Sequence, residues 1–179
     1  MDWVFDGGRP CLDLVNTMRS RYLPGGGIEL LTSAAALSEW FDLAGFGRLP
    51  VNDGELAAAK TLREAVNRLL TGPPQVKDVQ VVNAAVVAAP LPARLRLEGG
   101  ELHREVPAPG YPVATAFAVL AGDAVELATG TADVRICLAD DCGLRFCDAS
   151  PRRTRQWCSM ARCGNRAKAR AHYRRARNR

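Results

Sequence analysis

The last 29 residues of the chain, from Pro151 onward, contain no aspartate and no glutamate. The same stretch carries ten arginines and one lysine, a formal charge of +11. The other 13 of the 24 basic residues and all 19 acidic residues lie before Pro151, so that part of the chain has a formal charge of −6. Because a surface crowded with one sign of charge attracts the opposite sign, this asymmetry predicts a polyanionic partner for the basic end.

Other features are also missing. The first residues, MDWVFD, lack the basic and apolar regions of a signal peptide, and no apolar run reaches the roughly 18 residues of a membrane helix. We therefore expect a cytoplasmic protein without a membrane partner. In a reducing compartment, six cysteines indicate metal or redox chemistry more than disulfides. His103 has no cluster of His, Cys or Asp beside it, so we expect no catalytic site and predict that the protein is not an enzyme.

The patterning predicts an α+β fold: a mostly α-helical N-terminal domain with a small β-hairpin, followed by a small C-terminal zinc-finger module. Apolar residues recur at helical spacing in four segments, which begin after Thr32 or Ser33 and near residues 53, 77 and 113. Gly45 ends the first helix, and the others extend to about residues 70, 88 and 128. Alternation over 94–98 and 101–106 around Gly99-Gly100 predicts the hairpin. We place the domains at 1–130 and 131–179.

Two cysteine pairs with matched spacing lie in the C-terminal part. Cys137 and Cys142 are separated by four residues, as are Cys158 and Cys163, and fifteen residues lie between the pairs. Four thiolates suit a tetrahedral zinc ion and leave no open position, so we predict one structural Zn²⁺ per chain. Gly143 allows a tight turn after Cys142, and Asn165 is a candidate cap for a helix that starts near the last ligand.

Three alternatives remain open at this point. Cys147 could replace Cys142 or Cys158 as a ligand, although we favour a free, partly buried thiol. An iron–sulfur cluster also takes four cysteines, and a disulfide would need an oxidising compartment. Cys11, alone in an apolar run, is interpreted as a small buried hydrophobic residue.

After Cys163 the sequence NRAKARAHYRRARNR is rich in helix formers. We predict a basic helix that binds DNA, with arginines on phosphates and base edges. Ala169, Tyr173 and Ala176 form a thin apolar stripe that could dock on the metal module. RNA or an acidic protein partner stays possible. The candidate nucleic-acid contacts are Asn165, Arg166, Lys168, Arg170 and Arg174, together with Arg152, Arg153 and Arg155 ahead of the second cysteine pair.

The N-terminal region offers a second candidate site. Asp13 and Asn16 lie one helical turn apart and could share a face, while Trp3 could close over a small ligand or belong to the core. The alternative functions are therefore a ligand-binding or enzymatic N-terminal domain with the zinc module as scaffold, or a module for RNA or protein interaction.

The string Cys163-Gly164-Asn165-Arg166 resembles the motif of the CGNR zinc-finger family, and the Phe146-x-Asp148 and Arg152 to Trp157 segments fit it. The stretch LDLVNT at 12–17 is similar to the signature of the ABATE domain that precedes this finger. The resemblance implies a bacterial, stress-linked transcription regulator. It also implies zinc on Cys137, Cys142, Cys158 and Cys163 and a finger that binds DNA. The first domain would then sense a small molecule or form a homodimer.

Overall fold

The computed structural model describes residues 3–87, 94–105 and 110–177, with the side chains of 171 and 172 left aside. Helices and short strands follow one another along the chain as α1 (Pro10–Val15), β1 (Met18–Arg19), β2 (Ile28–Glu29), α2 (Ala34–Leu43), α3 (Asp53–Leu69), α4 (Val76–Val86), β3 (Arg94–Glu98), β4 (Glu101–Glu105), α5 (Pro112–Thr129), β5 (Asp133–Ile136), β6 (Arg145–Asp148), a π-helical turn (Met160–Gly164) and α6 (Asn165–Arg177).

The core of the helical part is built around α5. This helix buries eight residues against α1, α3 and α4, which explains why its sequence is apolar on nearly every face. An aromatic group of Phe41, Phe46 and Phe117 joins α2 to α5, with Trp40 stacked on Phe46 at 6.4 Å between ring centroids. The short helix α1 contributes four buried side chains to the same core.

The predicted helix boundaries are largely confirmed. Ser33 accepts a hydrogen bond from the backbone of Ala36 and begins α2, and Gly45 follows the helix in the left-handed region at φ 88°. Asn52 and Glu55 form a reciprocal capping box that begins α3 at Asp53. The third of the predicted helices corresponds to α4 and ends at Val86, and its predicted end at residue 88 lies outside the described residues.

By length and mean hydropathy, α5 alone among the described helices would suit a membrane span. Asp123 and Glu126 interrupt this helix, so the sequence contains no uninterrupted apolar run of that length, as predicted. The eight buried side chains of α5 show the packing of a core helix in a folded domain, which passes the same test of length and composition.

The predicted hairpin is confirmed: β3 pairs antiparallel with β4, and Leu97 lies opposite Leu102. Its predicted last residue, Val106, lies outside the described residues. A second antiparallel pair, β1 with β2, was not predicted, because strands of two residues are too short to show alternation.

The C-terminal module consists of the antiparallel pair β5–β6, a loop from Ala149 to Trp157, the π-helical turn and α6. Leu138 donates its backbone N–H to the carbonyl of Gln156 at 2.9 Å, so the loop lies alongside the end of the hairpin. A separate small core of buried residues, which includes Leu144 and Phe146, supports the cysteines.

Candidate metal centre and basic surface

Four cysteines meet in the C-terminal module. Cys137 follows β5 and Cys142 precedes β6, so the tight turn between the strands presents one pair. Cys158 precedes the π-helical turn and Cys163 lies in it, which presents the second pair. All four are buried, and their Sγ atoms lie within 4.8 Å of one another. Cys147 lies outside this group and packs in the core of the helical part, as a buried free thiol.

The spacing of the sulfurs fits a tetrahedral metal ion. Zn–S bonds of about 2.3 Å place tetrahedral sulfurs about 3.8 Å apart. The Sγ atoms of Cys142 and Cys158 are 3.8 Å apart, and those of Cys158 and Cys163 are 3.7 Å apart. The four residues could therefore hold one metal ion with every position filled by protein.

Close contact makes the cysteine thiols differ in how readily they lose their protons. The hydrogen bond between Cys142 and Cys158 raises the pKa of Cys142 and lowers the pKa of Cys158, and burial raises the pKa of Cys163. A divalent cation would replace the retained protons, because thiolate is the form that binds metal.

Two arginines lie against the sulfurs. Arg162 Nη2 is 3.6 Å from Cys158 Sγ, and Arg166 Nη2 is 3.7 Å from Cys163 Sγ. Positive charge at these positions compensates the negative charge of four thiolates. Arg166 therefore has a structural role at the metal centre in addition to its predicted role in nucleic-acid binding.

The start of the module's helix is set by Ser159. Its side chain accepts a hydrogen bond from the backbone of Arg162 and begins the π-helical turn, which continues directly into α6 at Asn165. The prediction that Asn165 caps the helix is therefore wrong. Asn165 is exposed, and a Cβ at Gly164 would lie 2.5 Å from Met160 Sδ, so a larger residue there would displace the Met160 side chain.

Acidic residues of the turn between β5 and β6 hold α6 in place. Asp141 forms ion pairs with Arg166 at 2.9 Å and with Arg170 at 3.1 Å, and Asp140 lies 3.8 Å from Arg170. The predicted docking of α6 through Ala169, Tyr173 and Ala176 is wrong, since all three are exposed. The polar pairs lie on the face that the helix turns toward the module.

The loop ahead of Cys158 is ordered by Asp148, which is fully buried. Burial opposes its ionisation, but hydrogen bonds from Ser150 and Arg155 outweigh that cost and hold the pKa of Asp148 at about 2. Arg155 lies over the Phe146 ring and donates to the carbonyl of Cys158 at 2.7 Å. Arg153 donates to Thr131 at 3.3 Å. Two of the predicted contacts thus also hold the loop in place.

The remaining predicted contacts have exposed side chains without a described partner. Lys168 and Arg174 lie on α6, and Arg152 lies on the loop. Among the residues that the structure describes, Arg175 and Arg177 are exposed in the same way. The free positive charge of the described part of the module therefore lies at Lys168, along the C-terminal half of α6 and at Arg152.

The N-terminal candidate residues have structural partners. Trp3 donates from Nε1 to Glu39 on α2 at 3.0 Å, and Asp13 accepts the backbone N–H of Gly7 at 2.9 Å. The pKa of Asp13 is raised to about 7, mainly by burial. Asn16 is 5% exposed, and both polar atoms of its amide are bonded to the backbone of Arg145.

Arg145, which the sequence did not single out, joins the helical part to the metal module. Its side chain is 8% exposed and lies over the Tyr22 ring, 4.5 Å from the centroid. Its Nε donates to the Tyr22 hydroxyl at 2.8 Å and lies 3.2 Å from Asn67 Oδ1. An additional ion pair joins Arg162 to Asp6 at 2.9 Å.

A helical domain followed by a hairpin, a buried group of four cysteines and a basic helix defines a protein with a C-terminal metal-binding finger. Family models match the two parts in the same order. The ABATE model, described as "Putative stress-induced transcription regulator", matches residues 8–131, and the CGNR zinc-finger model matches residues 134–176. The chain belongs to the ABATE family and carries a CGNR zinc finger, as the resemblance implied.

Among curated proteins, none is similar enough in sequence to be counted as a relative of this chain.

Proposed function

We propose that this protein is a cytoplasmic transcription regulator and not an enzyme. Its finger would fold around one structural zinc ion and bind DNA. The observation that carries the proposal is a buried four-cysteine group followed directly by a helix whose exposed cations include several with no partner among the described residues. A helix anchored to a metal centre holds its arginines in place for phosphate contact, so binding costs less conformational entropy than it would for a disordered tail.

Zinc suits the donor set best. Four buried thiolates in a tetrahedral arrangement favour zinc or iron over magnesium, calcium or manganese. Because no position is open to water, the ion would stabilise the fold and perform no chemistry on a substrate. Cys137 and Cys142 would hold it from the hairpin, and Cys158 and Cys163 from the start of the helix.

The cations that remain free would contact phosphates. Lys168, Arg174 and Arg175 lie along α6, and Arg152 projects from the loop. The arginines paired with Asp140 and Asp141 would orient the helix, while the unpartnered ones would supply most of the salt-dependent affinity. The helical domain would sense a small molecule or form a homodimer.

A salt series with purified, zinc-loaded protein tests this proposal. We expect affinity for DNA to fall linearly on a log–log plot against salt concentration. Changing Arg174 and Arg175 to alanine should weaken binding to all sequences and reduce the slope by roughly 1 to 2 units. The matched control changes Arg94 and Arg104, exposed arginines of the β3–β4 hairpin, and should leave both affinity and slope unchanged.

Two results would contradict the proposal. Zinc-loaded protein that binds no DNA at 50 mM salt, or equal losses in the two double variants, would remove the finger from DNA recognition. Tighter binding to RNA of the same length would favour an RNA-binding module instead.

A further inference from the structure

Two grooves flank Gln156 and Trp157 in the metal module. The first, of about 410 Å³, lies between the β5–β6 turn and α6. The second, of about 630 Å³, lies over the loop that carries Arg152 and Arg155. Gln156 and Trp157 line both grooves, so these two residues form a ridge between neighbouring concave surfaces.

The basic residues of α6 converge on the first groove. Its lining includes five cations of this helix, and each is within two turns of the next. A helix that reads the major groove of a duplex would instead project its cations from a convex face. The lining cations are Arg166, Lys168, Arg170, Arg174 and Arg175.

Two large apolar side chains line this groove, Leu138 on its floor and Trp157 on the side formed by the ridge. Leu138 is 66% exposed although it lies on the turn that supports the metal site, and Trp157 is half-buried beside it. Trp157 also lies 3.4 Å from the position that a Cβ on Gly164 would take, so the ring is fixed against the start of the helix. A phosphate alone needs no apolar floor, whereas a nucleotide presents a planar base together with a phosphate.

Charge within the groove is uneven. Asp140 and Asp141 compensate Arg166 and Arg170 at one end, whereas Lys168, Arg174 and Arg175 have no partner in the described ranges. A bound anion would therefore lie toward the C-terminal half of α6. Its apolar part would then reach toward Leu138 and Trp157.

We propose that the finger binds an unpaired DNA strand, which crosses the ridge of Gln156 and Trp157. This inference rests on the proposed DNA binding and specifies the form of DNA. Phosphates lie on the free cations of α6 on one side and on Arg152 on the other, while a base contacts Trp157. Aromatic side chains between basic grooves favour single strands, because every unpaired base offers a flat face for stacking.

Gln156 has a separate part in this arrangement. Its backbone carbonyl is held by Leu138, and its exposed side chain carries both a donor and an acceptor at the ridge. An amide at this position can bond the edge of the base that stacks on the neighbouring ring. The ridge would thereby impose a modest base preference on a site that tolerates most sequences.

Titration of the zinc-loaded protein with a 15-nucleotide dT strand and with a duplex of equal length tests the inference. We expect at least 10-fold tighter binding of the single strand at 100 mM salt. Trp157→Ala should weaken that binding by roughly 10-fold without changing the salt slope, and Trp157→Phe should restore most of the loss. Tryptophan fluorescence should be quenched by the strand in the native protein and not in Trp157→Phe.

A second variant keeps the test decisive if Trp157→Ala loses its metal. Leu138→Glu places a negative charge on the exposed floor of the groove and should reduce single-strand binding more than 10-fold. The control Leu43→Glu changes another exposed leucine, on α2, and should have no effect. Metal content measured on each sample shows whether the module is folded.

The outcomes separate this inference from the broader proposal. If duplex binds more tightly than single strand, or if Trp157 and Leu138 variants bind single strand as the native protein does, the groove site is overturned and DNA binding stands. If neither form of DNA binds, the proposed function fails and the inference fails with it.

Discussion

The side-chain amide of Asn16 bonds both backbone polar groups of Arg145, a residue 129 positions later in the chain. Asn16 Nδ2 donates to the carbonyl oxygen at 2.8 Å, and the backbone N–H donates to Asn16 Oδ1 at 2.9 Å. Next to it, the N–H of Cys147 donates to the carbonyl of Gly7 at 2.8 Å. The outer edge of β6 is thus paired by the helical domain, which blocks its pairing with other chains.

Asn16→Ala should destabilise the whole chain. The variant leaves a buried N–H and a buried carbonyl of Arg145 without partners, at a cost of about 1 to 3 kcal/mol. The free energy of unfolding in urea, measured with zinc present, should fall by that amount. Asn83→Ala, on an exposed face of α4, should change it by less than about 0.5 kcal/mol. Equal values for the two variants would show that the amide pair contributes nothing.

Arg63→Met should be among the most damaging changes in the helical domain. Arg63 is 2% exposed, forms two bonds of 2.7 Å with Glu29 and bonds Glu64 at 2.9 Å. Its removal leaves the half-buried Glu29 carboxylate without its arginine, which we expect to cost about 3 kcal/mol, whereas Glu64 keeps its ion pair with Arg21 at 2.7 Å. Arg48→Met, at a side chain 73% exposed, provides the matched control. A loss under 1 kcal/mol by chemical denaturation would contradict the prediction.

Asp13 should make stability depend on pH. Burial raises its pKa to about 7 in the folded chain, above the ordinary value of 3.8. Between these values the folded state holds a proton that the unfolded state has released, so this contribution to stability is complete below about pH 4 and lost as pH rises through 7.

Asp13→Asn should remove that dependence while it keeps the acceptor for Gly7. The urea midpoint of the native protein, minus that of the variant, should fall from pH 5 to about pH 7 and level off above it. Glu101→Gln, at an exposed carboxyl of β4, should leave the native profile unchanged. Parallel profiles of the native protein and Asp13→Asn would rule out a titration of Asp13 in this range.

Removal of the metal should unfold the finger and spare the helical core. Structural zinc contributes roughly 10 kcal/mol or more to small modules. Among the described residues, the buried core of this one consists of its four cysteines, one alanine, Leu144 and Phe146, so it is too small to hold the finger folded alone. Cys163→Ser or a strong chelator should abolish zinc binding and reduce helical circular dichroism by about the share of α6. Cys147→Ala should keep one zinc per chain, because Cys147 lies outside the four-cysteine group.

The helices and the cysteine group could be predicted because their determinants are local. Ser33, Asn52 and Gly45 act within a few residues of their own positions. The spacing of the two cysteine pairs likewise limits the ways in which four thiolates can meet. The pair β1–β2 escaped prediction because two-residue strands leave no periodic pattern.

Which arginines are free could not be read from the sequence. Arg166 and Arg170 look like their neighbours in an acid-free segment, yet the fold brings Asp141, which precedes that segment, against both. The role of Asn16 was hidden for the same reason. A helical spacing suggested a shared face with Asp13, but its partner lies in β6, and no local pattern indicates a contact over that distance.

The paired outer edge of β6 has a practical consequence for anyone who wishes to transplant the finger. A fragment cut between residues 131 and 134 would leave behind Gly7, Asn16 and Tyr22, and would expose the unpaired edge of β6 beside the four-cysteine group. Such a fragment would tend to self-associate through this edge. A graft that also carries the segment from Gly7 to Tyr22 would keep the edge paired and remain soluble. The smallest transferable unit is therefore discontinuous, and its two halves come from opposite ends of the chain.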